Sequence, residues 1–329
     1  MSPRLIMKLD VAEVRRVPGD VILATLTHPR RPLLPAATAG AHVDVHLGDG
    51  RVRHYSLWGD PADRGAYRIA VKREAEGRGG SRRLHEMLVP GASLMVSAPR
   101  NHFELPETNG PVRLLAGGIG ITPLLAMAQA LAASGRSFRL HVFARRRATA
   151  PLLEEAQRLL GPGRVGAHLD DEPDTRVALP ALLAAPEPGA VLACCGPAGF
   201  MAAVRDAAAH WPEEALLFEA FQPLAGESFV PEPFEIVLAS GRRLAVPADR
   251  SALDVLREAG VAPPASCEIG VCGSCLCGYR GGTPIHRDVV LSPRARRERF
   301  APCVSRAVGT LHLDLGDAGR AVEPEAPRP

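Results

Sequence analysis

The sequence predicts a multidomain chain: an antiparallel β-barrel, then an α/β domain built on a parallel sheet, then a small α+β domain. Three observations predict it. Short β-runs alternate with turn residues over the first hundred positions, an apolar strand, turn and helix repeat three times after Asn109-Gly110-Pro111, and five of the seven cysteines crowd between Cys267 and Cys303. A length of 329 residues suits two or three domains, and 46% hydrophobic against 23% charged residues excludes a disordered or fibrous chain.

The barrel strands are expected at Val21 to Thr27, Val43 to Leu47, Arg51 to Leu57, Tyr67 to Lys72 and Ser93 to Ser97, with one helix at Ser81 to Leu88. This domain is expected to span 1–108. In the second, 109–225, strands at Val112 to Ala116, Arg139 to Ala144 and Ala190 to Cys194 each precede a helix, at Thr122 to Ser134, Ala150 to Leu160 and Ala198 to His210. A Pro- and Gly-rich linker, 226–233, leads to the third domain, 234–316, with a hairpin through Ser240-Gly241 and a helix at Ser251 to Ala259. The Pro- and Glu-rich end, 317–329, reads as a frayed tail.

The net charge of +3 is the small excess of 39 basic over 36 acidic residues, and no basic stretch carries interleaved aromatics, so a nucleic-acid partner is not expected. No signal-peptide core and no run of 18 apolar residues is found, so a soluble, cytoplasmic chain without a membrane partner is expected.

Cys267, Cys272 and Cys275 form C-x4-C-x2-C, and Cys303 follows after 27 intervening residues, the plant-type spacing for a [2Fe-2S] cluster. Gly270 and Gly273 let that loop turn backbone N–H groups toward sulfur. The competing readings are four reduced core cysteines, or zinc, whose sites usually pair ligands in two short-spaced knuckles. Cys277 reads as a core residue, because four ligands already satisfy two irons.

At the other functional end, Leu114-Leu115-Ala116-Gly117-Gly118-Ile119-Gly120-Ile121-Thr122-Pro123 runs from a strand into a helix, where a pyrophosphate is favoured. Cys194-Cys195-Gly196-Pro197 ends the third strand and would reach the same sheet edge. Arg145-Arg146-Arg147 ends the second, where an adenine ribose would sit; a solvated loop and a contact with the ribose or a 2′-phosphate are both open. In the barrel, Arg53-His54-Tyr55-Ser56-Leu57 offers a phosphate partner, a flat ring and a hydroxyl, and Gly79-Gly80-Ser81 opens a helix with N–H donors.

Taken in order, Arg-x-Tyr-Ser, Gly-Gly-Ser, Gly-Gly-Ile-Gly-Ile-Thr-Pro, Cys-Gly-Pro and C-x4-C-x2-C…C resemble the phthalate dioxygenase reductase family, which includes the vanillate O-demethylase reductases. The resemblance covers about residues 5 to 315. Pro99-Arg100-Asn101, Phe218-Glu219-Ala220-Phe221, His286-Arg287-Asp288 and Cys303-Val304-Ser305-Arg306 match further; His54 and Trp58 are bulkier than the pattern.

The resemblance implies an FMN barrel, an NAD(P) domain and a C-terminal β-grasp ferredoxin domain. Arg53 and Ser81, with Gly79 and Gly80, would hold the FMN phosphate; Tyr55, Val71 and Lys72 would line the flavin; Phe221 would cover its face. Ser56 would face N5, and Ser56, Cys195 and Glu219 would form the catalytic set. Gly118, Gly120, Thr122, Arg145, Arg146, Cys195, Gly196 and Pro197 would bind the nicotinamide nucleotide, and Cys267, Cys272, Cys275 and Cys303 the metal.

The implied function is a reductase component that takes a hydride from NADH, with NADPH open, and passes single electrons to a terminal oxygenase docking transiently. A Rieske oxygenase suits the downhill direction, because plant-type clusters lie near roughly −400 mV and Rieske centres at about −150 mV or above. A cytochrome P450 or other non-Rieske acceptor is the alternative. A redox sensor without turnover, and a carrier with degenerate nucleotide motifs, are readings of a different class.

Overall fold

The computed structural model describes residues 5–49, 51–74, 79–221, 229–261, 263–265, 267–291 and 294–317. The frayed tail expected beyond 317, and part of the expected linker, lie outside them. The chain divides into two compact units, Met1–Phe221 and Gln222–Pro329.

In the first unit, six strands form an antiparallel sheet: β1 (Ile6–Val17), β2 (Val21–Thr27), β3 (His42–His46), β4 (Val52–Ser56), β5 (Tyr67–Lys72) and β6 (Ser93–Ser97), with α1 (Gly80–Met87) between the last two. Their order is β4-β3-β6-β1-β2-β5, and a bridge between Leu57 and Ile69 joins the two edges into a barrel. The sequence reading missed β1. Its inward residues Met7, Leu9 and Val11 alternate cleanly, but a register shift between Val11 and Glu13 breaks the period just where polar residues begin.

The parallel sheet of this unit comprises β7 (Val112–Gly117), β8 (Phe138–Ala144), β9 (Val165–Leu169), β10 (Val191–Cys195) and β11 (Leu216–Glu219), in the order β11-β10-β7-β8-β9. Between them run α2 (Ile121–Ala133), α3 (Leu153–Leu160), α4 (Leu179–Leu183) and α5 (Ala198–Ala207). The three expected strands are joined by β9 and β11, both too short to stand out as apolar runs. The chain reverses direction of strand addition between β7 and β10, which makes their carboxyl ends the switch point of the sheet.

Helix α2 is buried almost all round, from Ile121 through Ala128 and at Leu131. Such a helix is covered on both sides. One core cluster joins Leu124, Leu125 and Met127 to sheet residues Leu114 and Val142 and to barrel residues Leu23, Trp58 and Phe103, and the Gln129 Nε2 donates to the Trp58 carbonyl at 2.8 Å. Barrel and parallel sheet therefore share a continuous core, which holds their facing loops in register.

The second unit carries β12 (Phe234–Val237), β13 (Arg243–Val246), α6 (Ala252–Glu258), β14 (Cys277–Ile285), β15 (Arg299–Phe300) and β16 (Arg306–Leu313). The sheet order is β13-β12-β16-β14-β15, with β12 and β16 parallel and the other pairs antiparallel. Ile236, Leu256, Phe300 and Leu311 form its core beneath α6. Ser251 caps that helix, accepting from the Asp254 N–H at 3.1 Å. Arg306 is buried because its guanidinium donates to the carbonyls of Glu232, Pro247 and Arg250. Among the described residues no helix is long and apolar enough to cross a membrane.

Candidate functional site

The barrel part of the site is built on β4 and the start of α1. Arg53 stands opposite Val45 and Tyr55 opposite Val43, and Tyr55 packs against the barrel core. The Arg53 guanidinium lies against Gly80, so closely that a Cβ there would run into it. A cation beside the N-terminus of a helix, admitted by a missing side chain, is an anion cradle. The Ser81 oxygen accepts the Glu74 N–H at 3.0 Å and keeps its own proton for donation. Val71 buries its side chain in the core, while its carbonyl oxygen faces the His85 Nε2 at 2.8 Å; Lys72 is exposed and paired with Glu74 at 2.8 Å.

On β4 the side chains alternate, so His54 stands on the opposite face from Tyr55, against Asp44, with His54 Nδ1 2.6 Å from Asp44 Oδ1. Arg100 reaches the same carboxylate oxygen at 2.5 Å. The bulk of His54 thus serves a buried ion network, and Trp58 is enclosed in the core shared with α2. His54 and Arg100 hold the Asp44 carboxyl down at about 2 despite burial, and burial with its cationic neighbours lowers His42 to about 3. The sequence reading missed this network, because its four members are spread over β3, β4 and the segment after β6.

At the switch point the two nucleotide motifs touch. A Cβ at Gly120 would strike the Cys195 carbonyl, and one at Gly117 would lie 2.9 Å from Pro197 Cδ. Only side-chain-free backbone allows that approach. Gly118 begins the turn into α2, and the buried Thr122 donates its hydroxyl to the Ile119 carbonyl at 3.1 Å. Gly196 is half-buried, Pro197 exposed, and Arg145 and Arg146 exposed beyond β8.

Between barrel and sheet, Ser56, Cys195 and Glu219 converge. Cys195 and Glu219 are register partners at the ends of β10 and β11, and the buried Ser56 hydroxyl donates to the Glu219 carboxyl. Burial pushes Glu219 up to about 8, the Ser56 bond holding it back, and raises the Cys195 thiol well above its ordinary value. Glu219 is half-buried as a residue, yet its Oε2 is enclosed and has no hydrogen-bond partner among the described residues. An enclosed, unpartnered carboxyl oxygen of that kind marks a functional position. Phe221 packs at the edge of the shared core. The signal for Glu219 in the sequence was the Phe218-Glu219-Ala220-Phe221 word of the family resemblance.

In the second unit, Cys267, Cys272 and Cys275 lie between α6 and β14, and Cys303 precedes β16; all four are buried. They fall into two pairs. The Sγ atoms of Cys275 and Cys303 are 3.3 Å apart, and those of Cys267 and Cys272 lie within 4.8 Å. Two thiolates on one tetrahedral centre with bonds of roughly 2.3 Å sit about 3.7 Å apart, so each pair fits one metal. Backbone N–H groups of Ile269 and Ser274 point at Cys267 and Cys272 sulfur at 3.5 Å. Gly270 has φ +76°, and a Cβ there would lie 2.6 Å from Val304. Cys277 sits in the core under Phe300, as a non-ligand should. The donor set, four sulfurs in two pairs on one glycine-bearing loop and one isolated position, fits a two-iron cluster better than a single zinc.

The fold and these two sites define a class: a modular electron-transfer oxidoreductase, with a nucleotide-binding parallel sheet against a barrel and a separate iron–sulfur unit. Residues 236–308 match the 2Fe-2S iron-sulfur cluster binding domain family. The chain is similar to the vanillate O-demethylase oxidoreductase of Pseudomonas sp. (strain HR199 / DSM 7063), 40% identical over 94% of this chain and 100% of that one. The solved structure of phthalate dioxygenase reductase, described as modular for electron transfer from pyridine nucleotides to [2Fe-2S], superimposes with a TM-score of 0.70 at 38% identity, covering 94% of this chain and 98% of that one. An intact type IV self-sufficient cytochrome P450 monooxygenase is similar at a TM-score of 0.85 and 37% identity over 94% of this chain, which spans 41% of that longer protein. The chain belongs to the phthalate dioxygenase reductase family.

Proposed function

We propose that this chain is the NAD(P)H-dependent reductase component of a multicomponent oxygenase, acting in the cytoplasm and docking transiently on a Rieske-type terminal oxygenase. The observation that carries the reading is the convergence of Ser56, Cys195 and Glu219 at the place where the two nucleotide turns meet the barrel. The working domains are 1–108, 109–225 and 234–316. Held there, FMN would supply the chemistry of hydride acceptance from a nicotinamide and of single-electron release toward a [2Fe-2S] cluster.

The chain's own residues bind and orient. Arg53, Ser81 and the Gly79-Gly80 backbone would hold the FMN phosphate; Tyr55 and Phe221 would offer rings to the flavin, and Val71 and Lys72 would contribute backbone. Gly118, Gly120, Thr122, Gly196 and Pro197 form the pyrophosphate turn, with Arg145 and Arg146 at the adenosine end. The buried, neutral Cys195 excludes water beside the nicotinamide position, and Glu219 stores a proton at its carboxyl at neutral pH, communicated through the Ser56 hydroxyl. Cys267 with Cys272, and Cys275 with Cys303, would ligate the two irons of the cluster.

The test is an anaerobic titration of the purified protein with NADH and, separately, NADPH, followed by absorbance and low-temperature EPR. Flavin bleaching with a rhombic [2Fe-2S] signal is expected. Absence of reduction by either nucleotide, with both centres present, would overturn the reading in favour of a sensor or carrier. The similarity to a self-sufficient P450 supports a second acceptor, a P450-type haem protein. Reduction rates with a Rieske oxygenase and a P450 encoded nearby separate the two.

A further inference from the structure

Helix α6 lies on the sulfur donors as well as on the core of its unit. Leu253 packs against Cys275 and Cys303, and its N–H donates to the Pro302 carbonyl at 2.9 Å. Arg257 stands one turn further along the same face. Its guanidinium donates to the Glu268 carboxylate at 2.6 Å, which ties α6 to the residue that follows Cys267. Glu268, chiefly through that hydrogen bond, holds Arg257 above its ordinary value, and Cys275 contributes to the same field.

Glu268 is also where the backbone is unusual. Its φ is +58°, in the left-handed region that favours glycine, and among the described residues of the second unit no other non-glycine residue has a positive φ. Gly270 and Gly273 adopt the same region at the ease of a missing side chain. Glutamate gives up that ease and brings a carboxylate that meets Arg257. The turn aims the amides that follow it: the Ile269 N–H points at the Cys267 sulfur at 3.5 Å, and the Val271 amide hydrogen-bonds the same sulfur. For stability the ion pair counts for little, because its side chains are 39% and 44% exposed. What sets it apart is its place beside the sulfurs.

Hydrogen bonds to sulfur and net charge are two of the levers that set an iron–sulfur potential. Loss of Arg257 moves both the same way, since it frees the turn that presents the amides and leaves the Glu268 carboxylate uncompensated next to Cys267. Each change disfavours the reduced, more negative state. We propose that Arg257 is a positioning residue for the cluster, holding the left-handed turn at Glu268 and balancing its charge so that the cluster takes up its electron more readily. This rests on the reading of the four cysteines as the ligands of a [2Fe-2S] cluster.

An EPR-monitored redox titration of the flavin- and cluster-loaded protein, with dithionite as reductant, tests it without nucleotide or acceptor. Arg257→Gln should lower the midpoint potential of the cluster by about 30 mV or more, a threefold change in the one-electron equilibrium at about 59 mV per tenfold, with the melting of the second unit unchanged. Arg257→Lys should return most of the shift, and the exchanged pair Arg257→Glu/Glu268→Arg should lie closer to the parent than Arg257→Glu alone. Arg243→Gln, which breaks the ion pair with Glu235 at the far edge of the sheet, should leave the potential in place. A parental potential in Arg257→Gln, a shift that neither lysine nor the exchange reverses, or a loss of melting temperature and cluster loading without a shift overturns the inference and leaves the cluster ligands standing. If the parent protein itself gives no rhombic signal after dithionite, the ligand reading falls with it.

Discussion

The two units build their sites in opposite ways. In the second, three of four sulfur donors come from a single loop, and only Cys303 must be brought to it by the pairing of β14, β15 and β16. In the first, the site draws one strand from the barrel, the β10 end with its Gly196-Pro197 turn, the β11 end and the Gly117–Gly120 turn, four stretches far apart in sequence. A locally encoded site survives damage elsewhere, whereas an assembled one inherits every error of packing between its layers. Substitutions should therefore divide cleanly by unit.

The sharpest break is at the cluster. Cys275→Ser should abolish the low-temperature EPR signal and lower cytochrome c reduction by about a hundredfold or more, while NADH still bleaches the flavin, read by stopped-flow absorbance. If flavin reduction fell equally, the two sites would not be separable as described.

Next comes the assembled site. Ser56→Ala and Glu219→Gln should each slow flavin reduction by roughly a hundredfold, the scale of a lost positioned proton, and leave the EPR signal of the chemically reduced cluster unaltered. Their pH profiles sharpen the point. With Glu219 raised to about 8, its folded carboxyl keeps a proton that the unfolded chain gives up near 4.5, so its contribution to stability is present below about 4.5 and lost as pH rises through 8. Glu219→Gln should consequently melt higher than the parent at pH 9 and alike at pH 4, followed by flavin fluorescence.

A smaller effect is steric. At Gly120 a methyl group meets the Cys195 carbonyl, so Gly120→Ala should cost about 1–3 kcal/mol and raise the KM for nucleotide, measured by urea unfolding and initial rates. The same change at Gly163, which has open space, should do neither.

The mildest test concerns acid. His42 is neutral in the fold down to about 3 but takes up a proton near 6.5 when unfolded, so the first unit loses stability as pH falls through that window; Asp44, held at about 2, adds a further loss below about 4. At pH 5 the His42 contribution reaches up to about 2 kcal/mol. His42→Gln should flatten the dependence of flavin-unit melting between pH 7 and 5, while cluster bleaching, the report on the second unit, stays as in the parent.

What could be read in advance follows the same division. The cluster ligands, the glycine turn into α2 and the Cys-Gly-Pro element stand in the sequence because spacing and glycine position are local properties. Glu219 came only with the family resemblance, since β11 is four residues long and carries no periodic signal of its own. The His42, Asp44, His54 and Arg100 network was invisible: His54 reads as mere bulk beside Tyr55 until strand alternation turns it to the other face.

By itself the sequence determined the order of barrel, parallel sheet and cysteine-bearing unit, and which residue types the chemistry could use, because periodicity, turn residues and ligand spacing act over a few neighbouring positions. Only the tertiary structure decided which of them meet. It paired Cys267 with Cys272 and Cys275 with Cys303, set Gly120 against the Cys195 carbonyl, and enclosed the Glu219 carboxyl behind Ser56. Those are contacts between distant segments, and their energies depend on burial and on charged neighbours that no local window contains.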